Sequence, residues 1–199
     1  MKEFWDQRYS SEGYVYGLEP NDFFKQIIDK IAPGKLLLPG EGEGRNVVYA
    51  AIKGWQVDAF DISQNGREKA LKLARKQKVN INYKIADYTE IMLLPEEYDS
   101  IGLIYCRMHR DIRQDIHTRF ISSLKKDGLI FLEAFSKAQL KRNSGGPKDL
   151  NMLFSVKELR EDFKTMQIEV LKELILNLDA GDYHRGEASI IRMVAKKSR

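Results

Sequence analysis

An apolar run, Leu36-Leu37-Leu38-Pro39, breaks into Gly40-Glu41-Gly42-Glu43-Gly44, and a helical pattern starts at once with Val47, Val48, Ala50 and Ala51. No other stretch of the chain constrains its fold as tightly. A strand that turns through glycines into a helix brings bare backbone N–H groups to the strand's tip. A Cβ there would obstruct both the turn and an approaching ligand. The spacing is G-x-G-x-G, not the G-x-G-x-x-G of dinucleotide-binding units, and no G-K-[ST] follows as in a P-loop. The loop therefore suggests a nucleotide-like ligand without a pyrophosphate. It is also the turn a helix needs to pack closely on a sheet, and the loop alone does not separate these readings.

Two later strand ends point the same way. Gln56 to Phe60 reads as the next strand and ends in Asp61-Ile62, with Asp61 17 residues past Gly44. An acid at the tip of a second strand can accept hydrogen bonds from both hydroxyls of a ribose. The alternative is a helix N-cap, which Asp61 or Ser63 could supply. Ile81 to Ile85 is a third strand, followed by Ala86-Asp87-Tyr88. Asp87 could accept from an adenine amino group, with Tyr88 or Ile62 against the ring. In open α/β sheets ligands bind beyond the carboxyl ends of the strands, so the three sites converge on one crevice.

The rest of the chain alternates in the same manner. Helices are expected over residues 21–31, 64–77, 111–124 and 156–163, and strands over 98–105 and 129–135. Residues 167–178 and 188–195 form a final antiparallel pair joined by the loop 179–186. Alternating β and α units imply a doubly wound, mostly parallel α/β sheet with helices on both faces. At 199 residues one domain spanning 1–199 is expected, with 43% hydrophobic and 31% charged residues in a soluble balance. The single cysteine, Cys106, excludes an internal disulfide and fits a reducing cytoplasm. No run approaches a membrane span, and the first residues do not read as a signal peptide. Net charge is +4, with the basic run Lys69, Lys72, Arg75 and Lys76 read as a solvated helix face and Lys196 to Arg199 as a frayed tail. No clustered basic and aromatic footprint marks a nucleic-acid partner.

With these motifs in place, the chain resembles the class I S-adenosylmethionine-dependent methyltransferases, and within them the bacterial tellurite-resistance and thiopurine branch. The resemblance is carried by Phe4-Trp5-Asp6-Gln7-Arg8-Tyr9, by Tyr14 to Phe23, by Gly40 to Asn46 and by Ala59-Phe60-Asp61-Ile62-Ser63. Leu132 to Ser136 and Gly145 to Leu150 complete it. It implies a Rossmann-like, seven-stranded sheet with an antiparallel C-terminal strand pair, and S-adenosylmethionine as cofactor. It also implies a cofactor site drawn from Trp5, Tyr16, Gly40, Glu41, Gly42, Gly44, Arg45, Asp61, Ile62, Asp87, Tyr88 and Cys106. One position departs from the family: an acid is common two residues before the first glycine, and here that residue is Leu38.

Two segments outside the core are expected to close the site. Residues 1–20 carry Phe4, Trp5, Tyr9, Tyr14 and Tyr16, an aromatic cap of the kind that marks binding surfaces. Residues 136–154 form a long connection containing Gly145-Gly146-Pro147, as lid loops do. A methyl donor of this kind is already electrophilic, so the protein must align the acceptor and exclude water. A general base is needed only for a protonated acceptor. His109, just past the fourth strand, is the candidate base, with a helix-capping role as its alternative, and His184 in the final loop is a second. His117 reads as a surface residue. Arg107, Arg110 and Arg113 could attract an anionic acceptor, or equally pair with Asp111 and Asp115. A small-molecule acceptor is expected, such as a thiol or a species derived from a metalloid oxyanion. The alternatives are a protein or nucleic-acid acceptor, or a non-catalytic cofactor-binding protein.

Overall fold

A computed structural model describes residues 1–181 and 183–198; Asp182 of the final loop and Arg199 of the tail lie outside the described residues. Seven strands form one sheet: β1 (Lys35–Pro39), β2 (Gln56–Asp61), β3 (Asn82–Ile85), β4 (Tyr98–Ile104), β5 (Leu124–Phe135), β6 (Met166–Asp179) and β7 (Arg185–Lys197). Their spatial order is β3-β2-β1-β4-β5-β7-β6. The first five are parallel, and β7 runs antiparallel to both β5 and β6. The chain winds outward from β1 to β3 and then returns to place β4 on the other side of β1. That reversal opens a crevice at the carboxyl ends of β1 and β4.

Strands covered on both faces are apolar at every position, and their side chains alternate between two layers. Leu36 and Leu38 pack with Val47, Val48, Leu73 and Ala74, under the helices α2 (Asp22–Ile28), α3 (Arg45–Ile52) and α4 (Gln64–Lys76). Leu37, Ile101 and Leu103 face the opposite way, against Ile116, Phe120, Leu159 and Phe163 of α5 (Arg110–Ser123) and α6 (Val156–Asp162) and their ends. The helices begin where short polar side chains satisfy their first N–H groups. Asn21 accepts from Phe24 N, Ser63 from Gly66 N, and Ser155 with Glu158 forms a reciprocal capping box.

Several sequence expectations are corrected. His117 is fully buried, because α5 turns Arg113, Ile116, His117 and Phe120 inward on one face. Its Nδ1 lies 2.9 Å from Asp162 Oδ2 of α6, which makes the burial tolerable. Burial still depresses its pKa, despite Asp162. Lys196 and Lys197 belong to β7 rather than to a frayed tail, and Lys197 Nζ donates to Leu124 O at 2.5 Å. Lys69 is not solvated: its ammonium pairs with the buried Glu43 at 2.8 Å, whereas Lys72, Arg75 and Lys76 are exposed.

Two segments outside the sheet fold over the crevice. The helix α1 (Lys2–Arg8) is fixed to α4 by Asp6, which accepts from Ser63 Oγ at 2.7 Å and from Asn65 N. Further along, Val15 N donates to Glu43 Oε2 at 2.8 Å. Residues 136–154 form two 3-10 turns, Lys137–Lys141 and Leu150–Met152, closed by a bridge between Ser136 and Phe154. Buried Gln139 anchors this segment, donating to Ser144 Oγ and Gly145 O and accepting from Ser189 N.

Candidate functional site

The crevice is a cavity of about 1020 Å³, part of it open to solvent. The ends of β1, β2 and β3 supply Gly40, Glu41, Asp61, Ile62, Asp87 and Tyr88, and the end of β4 supplies Tyr105, Cys106 and Arg107. Trp5, Tyr9 and Tyr16 come from the N-terminal segment, Pro147, Met152 and Phe154 from the 136–154 segment, and His184 from the β6–β7 loop. Ten of the twelve candidate cofactor residues therefore line one cavity: Trp5, Tyr16, Gly40, Glu41, Arg45, Asp61, Ile62, Asp87, Tyr88 and Cys106. Gly42 and Gly44 do not.

The glycines show why. Gly44 has φ +86, and a Cβ there would lie 2.5 Å from Ala70 Cβ, so this glycine lets α3 and α4 close together. Gly42 has φ +56, and its missing Cβ points at the hydroxyl of Tyr9. That glycine makes room for the N-terminal segment rather than for a ligand. Gly40, at φ +65, is the loop glycine that lines the cavity, and its missing Cβ makes room for the Tyr88 hydroxyl beside Cys106 Sγ.

Three carboxylates line the inner half of the cavity. Asp61 accepts from Gly42 N and Ser63 N, each at 2.9 Å, so it braces the glycine loop from the neighbouring strand. Ser63, not Asp61, caps α4. Burial pushes the Asp61 carboxyl up to about 6 although three backbone N–H groups pull it down. Glu41 accepts from Asn46 Nδ2 at 3.0 Å and Val47 N at 3.1 Å, and burial pushes it up to about 7. Asp87 accepts from the Thr89 N–H and hydroxyl. Leu38 is fully buried in the apolar layer, so β1 itself brings no acid to the site. Cys106 donates to Pro39 O at 3.0 Å, and burial pushes its thiol up to about 12, which keeps it protonated and inert.

The outer half is basic and aromatic. Arg8, outside the cavity lining, donates to the hydroxyl of the lining residue Tyr16 at 3.1 Å and lies over the Tyr183 ring at 3.6 Å. Arg107 lies over Trp5 at 4.8 Å, and Arg45 donates to Tyr16 O at 2.9 Å. Arg142 and Arg192 have carboxylate partners, but among the described residues these three have none. His184 stands among them, packed between Tyr16 and Tyr105 at 4.7 Å each. Its Nδ1 is buried without a hydrogen-bond partner. Burial, with Arg45, Arg107 and Arg8 in that order, drives its pKa to about 3, so the imidazole is neutral.

His109 is corrected. It sits at the N-cap of α5, its Nδ1 3.4 Å from Asp111 N and 3.3 Å from the Asp111 carboxylate, and it is not on the cavity wall. Chain direction explains this: after Cys106 and Arg107 the backbone turns away to begin the helix. Arg110 is exposed, and Arg113 is buried, spending its guanidinium on the carbonyls of Met108, Asn151 and Leu153. Of the three arginines read from sequence, only Arg107 reaches the cavity. Asn46, Tyr105, Phe135, Met152 and Phe154 line it without having been singled out from sequence, and Tyr9 lines it as part of the expected aromatic cap.

Residues 37–128 match a methyltransferase domain family. An uncharacterized methyltransferase of Schizosaccharomyces pombe is 30% identical over 101 residues, covering 49% of this chain and 69% of the relative. Among solved structures, TehB from Haemophilus influenzae superposes with a TM-score of 0.74 at 20% identity, over 99% of this chain and 67% of that one. A protein studied for the conversion of a disulfide bond into a thioacetal group during echinomycin biosynthesis superposes at 0.81 and 14% identity, over 100% and 92%.

Proposed function

The chain belongs to the class I S-adenosylmethionine-dependent methyltransferases, and from that premise we propose that it methylates a small anionic acceptor held at the arginine end of the cavity. S-adenosylmethionine is the cofactor, and its hydrogen-bonding groups fit the inner wall. Its ribose hydroxyls, adenine amino group and ammonium are donors, and the wall offers Asp61, Asp87 and Glu41 as acceptors. When bound, the cofactor supplies a methyl group made electrophilic by its sulfonium. This chain's residues hold and orient the reactants. Trp5, Tyr16, Met152 and Phe154 wall off water, which strengthens every charge interaction inside.

The observation that carries the acceptor reading is the pair Arg45 and Arg107 on the cavity lining, without carboxylate partners among the described residues, beside a neutral histidine, with Arg8 next to them on the Tyr16 hydroxyl. Buried or half-buried guanidinium groups gain strongly from an anion, and Arg is suited to carboxylates and oxyanions. An anion there would also raise the pKa of His184. At about 3, His184 is too weak a base to deprotonate a neutral alcohol or amine. A thiolate or metalloid oxyanion needs no such base, only alignment.

The test is turnover of methyl-labelled S-adenosylmethionine against thiols, metalloid oxyanions, carboxylates and their neutral amide or ester counterparts. Activity confined to anions is expected. Preference for neutral counterparts, or label transferred only to protein or nucleic acid, would overturn the proposal.

A further inference from the structure

Arg113 is a buried cation on the inward face of α5, with no carboxylate in ion-pair contact among the described residues. The acids whose charge it feels, Glu158 and Asp162, are paired with Lys137 and His117. Such a charge is costly to bury, and an apolar side chain could fill the same space. The guanidinium faces carbonyls instead. Nη1 donates to Leu153 O at 3.2 Å, and Nη2 donates to Met108 O at 3.1 Å and to Asn151 O at 2.9 Å. Its Cζ lies 3.8 Å from the centre of the Phe154 ring.

Those three carbonyls belong to two stretches of the cavity wall. Met108 follows Cys106 and Arg107 where the chain leaves β4, and Asn151 and Leu153 flank Met152 just before Phe154. Cys106, Arg107, Met152 and Phe154 line the cavity, whereas Arg113 does not. Backbone bonds tie Phe154 to Phe135 and Lys137. Residues 150–153 have no such tie: among the described residues, their hydrogen bonds stay within 149–153 except those from Arg113. A guanidinium presents its donors as a planar fork, so it reaches carbonyls of both stretches at once. The single ammonium of a lysine, on a flexible stem, does not.

We propose that Arg113 is a positioning residue for methyl transfer: it staples the turn after β4 to residues 150–153 and so sets where Arg107, Met152 and Phe154 stand around the acceptor. It acts through those residues and touches neither reactant. Alignment is the main demand of this reaction, and a displacement of about 1 Å can cost roughly 100-fold in rate. The staple itself is independent of the acceptor's identity. Its effect on turnover rests on the acceptor lying at the arginine end of the cavity. Glu41, Asp61 and Asp87 are held by backbone N–H groups of their own, so the cofactor side should not feel the loss of Arg113.

The deciding variant is Arg113→Lys, which keeps the charge and most of the stem and removes the fork. Cys106, the chain's one cysteine, is buried on the stapled turn, so its labelling by a small thiol reagent reports opening there. Labelling should rise about tenfold or more, the scale of one lost charge-assisted hydrogen bond. Amide exchange should rise over 106–109 and 150–153 and hold elsewhere. With the acceptor turned over fastest in the labelled-methyl panel, kcat should fall roughly 10- to 100-fold. S-adenosylhomocysteine affinity should stay within about threefold, as for an independent site. A merely structural arginine would behave otherwise: exchange would rise evenly along the chain, and turnover and cofactor binding would fall together. That pattern, or a folded variant with unchanged labelling, would overturn the proposal. Should the variant not fold, the wild type decides. Cys106 labelling and the exchange of the Met152 and Leu153 amides should then share one dependence on dilute denaturant, and separate dependences would overturn the staple. The same fall in kcat with an acceptor that proves neutral would support Arg113 in this role and overturn the anion reading.

Discussion

The two halves of the cavity differ in charge and in how they are held. The inner half carries Glu41, Asp61 and Asp87 on strand tips, each carboxylate fixed by backbone N–H groups within a few residues or from the next strand. The outer half carries Arg107, with Arg8 just outside the lining, both held by aromatic faces from segments far apart in the chain: Arg8 over Tyr183, Arg107 over Trp5. Arg45 stands between them. On the proposed reading the sulfonium is drawn to the acidic half and the anionic acceptor to the basic half, so the field along the cavity would favour bringing the two together. The inner half is rigid because the sheet positions it. The outer half exists only while three separate segments stay packed.

Gly42 is the place where the halves touch, so the largest effect is expected there. A Cβ at this residue would strike the Tyr9 hydroxyl and sit at φ +56, where a β-branched residue is strained. Gly42→Val should abolish S-adenosylhomocysteine binding and release the N-terminal segment together. Calorimetry and amide hydrogen exchange over residues 1–20 read the two outcomes. A variant that loses binding while α1 keeps its protection would mean that the glycine serves the ligand directly and that the halves are not coupled through Tyr9.

Asp61→Ala acts on the inner half alone. It removes the proposed ribose acceptor and a brace on Gly42 N. Cofactor affinity should fall by ~1.5–3 kcal/mol, the range for hydrogen bonds to a charged group. Unchanged affinity in a folded variant would mean that Asp61 is only a strut of the loop.

How much of this was readable beforehand follows the same division. The inner half is a set of local signals, a strand, a turn and an acid at the tip, repeated three times. Asp61, Asp87 and Gly40 could therefore be found by position in each unit, and so could the alternation of strands and helices. The outer half depends on contacts such as Arg8 with Tyr183, 175 positions apart, which no local period encodes. His117 failed for a related reason. Its partner, Asp162, lies on another helix, and without that partner a buried imidazole is a poor expectation. His109 and His184 were both visible as candidates, but only the packing of the β6–β7 loop against Tyr105 decides which one meets the cavity. The role of Gly42 was hidden because spacing marks a glycine as needed without saying which atom it makes room for.

Arg107→Met tests the outer half alone. Methionine keeps much of the apolar stem against Trp5 and Phe4 and removes the charge. The acceptor's KM should rise about tenfold or more, the loss of one charge-assisted contact, while S-adenosylhomocysteine affinity holds. A fall in cofactor affinity with unchanged acceptor KM would move Arg107 to the other half and erase the contrast between them.

The smallest effect is expected at His109, which belongs to neither half. Its Nδ1 caps α5 through a long 3.4 Å contact, and its companion Asp111 is well exposed, so both interactions are weak. His109→Ala should cost no more than ~0.5–1 kcal/mol of stability, the low end for a lost N-cap, read by chemical denaturation. Turnover and its pH profile should not move, because no cavity-lining atom comes from this residue. A general base would behave otherwise, with a loss of ~10²–10⁴-fold at intact cofactor affinity. That result would require the β4–α5 connection to swing His109 into the cavity during turnover. It would also return the acceptor to the protonated oxygens and nitrogens that the arginine-rich end argues against.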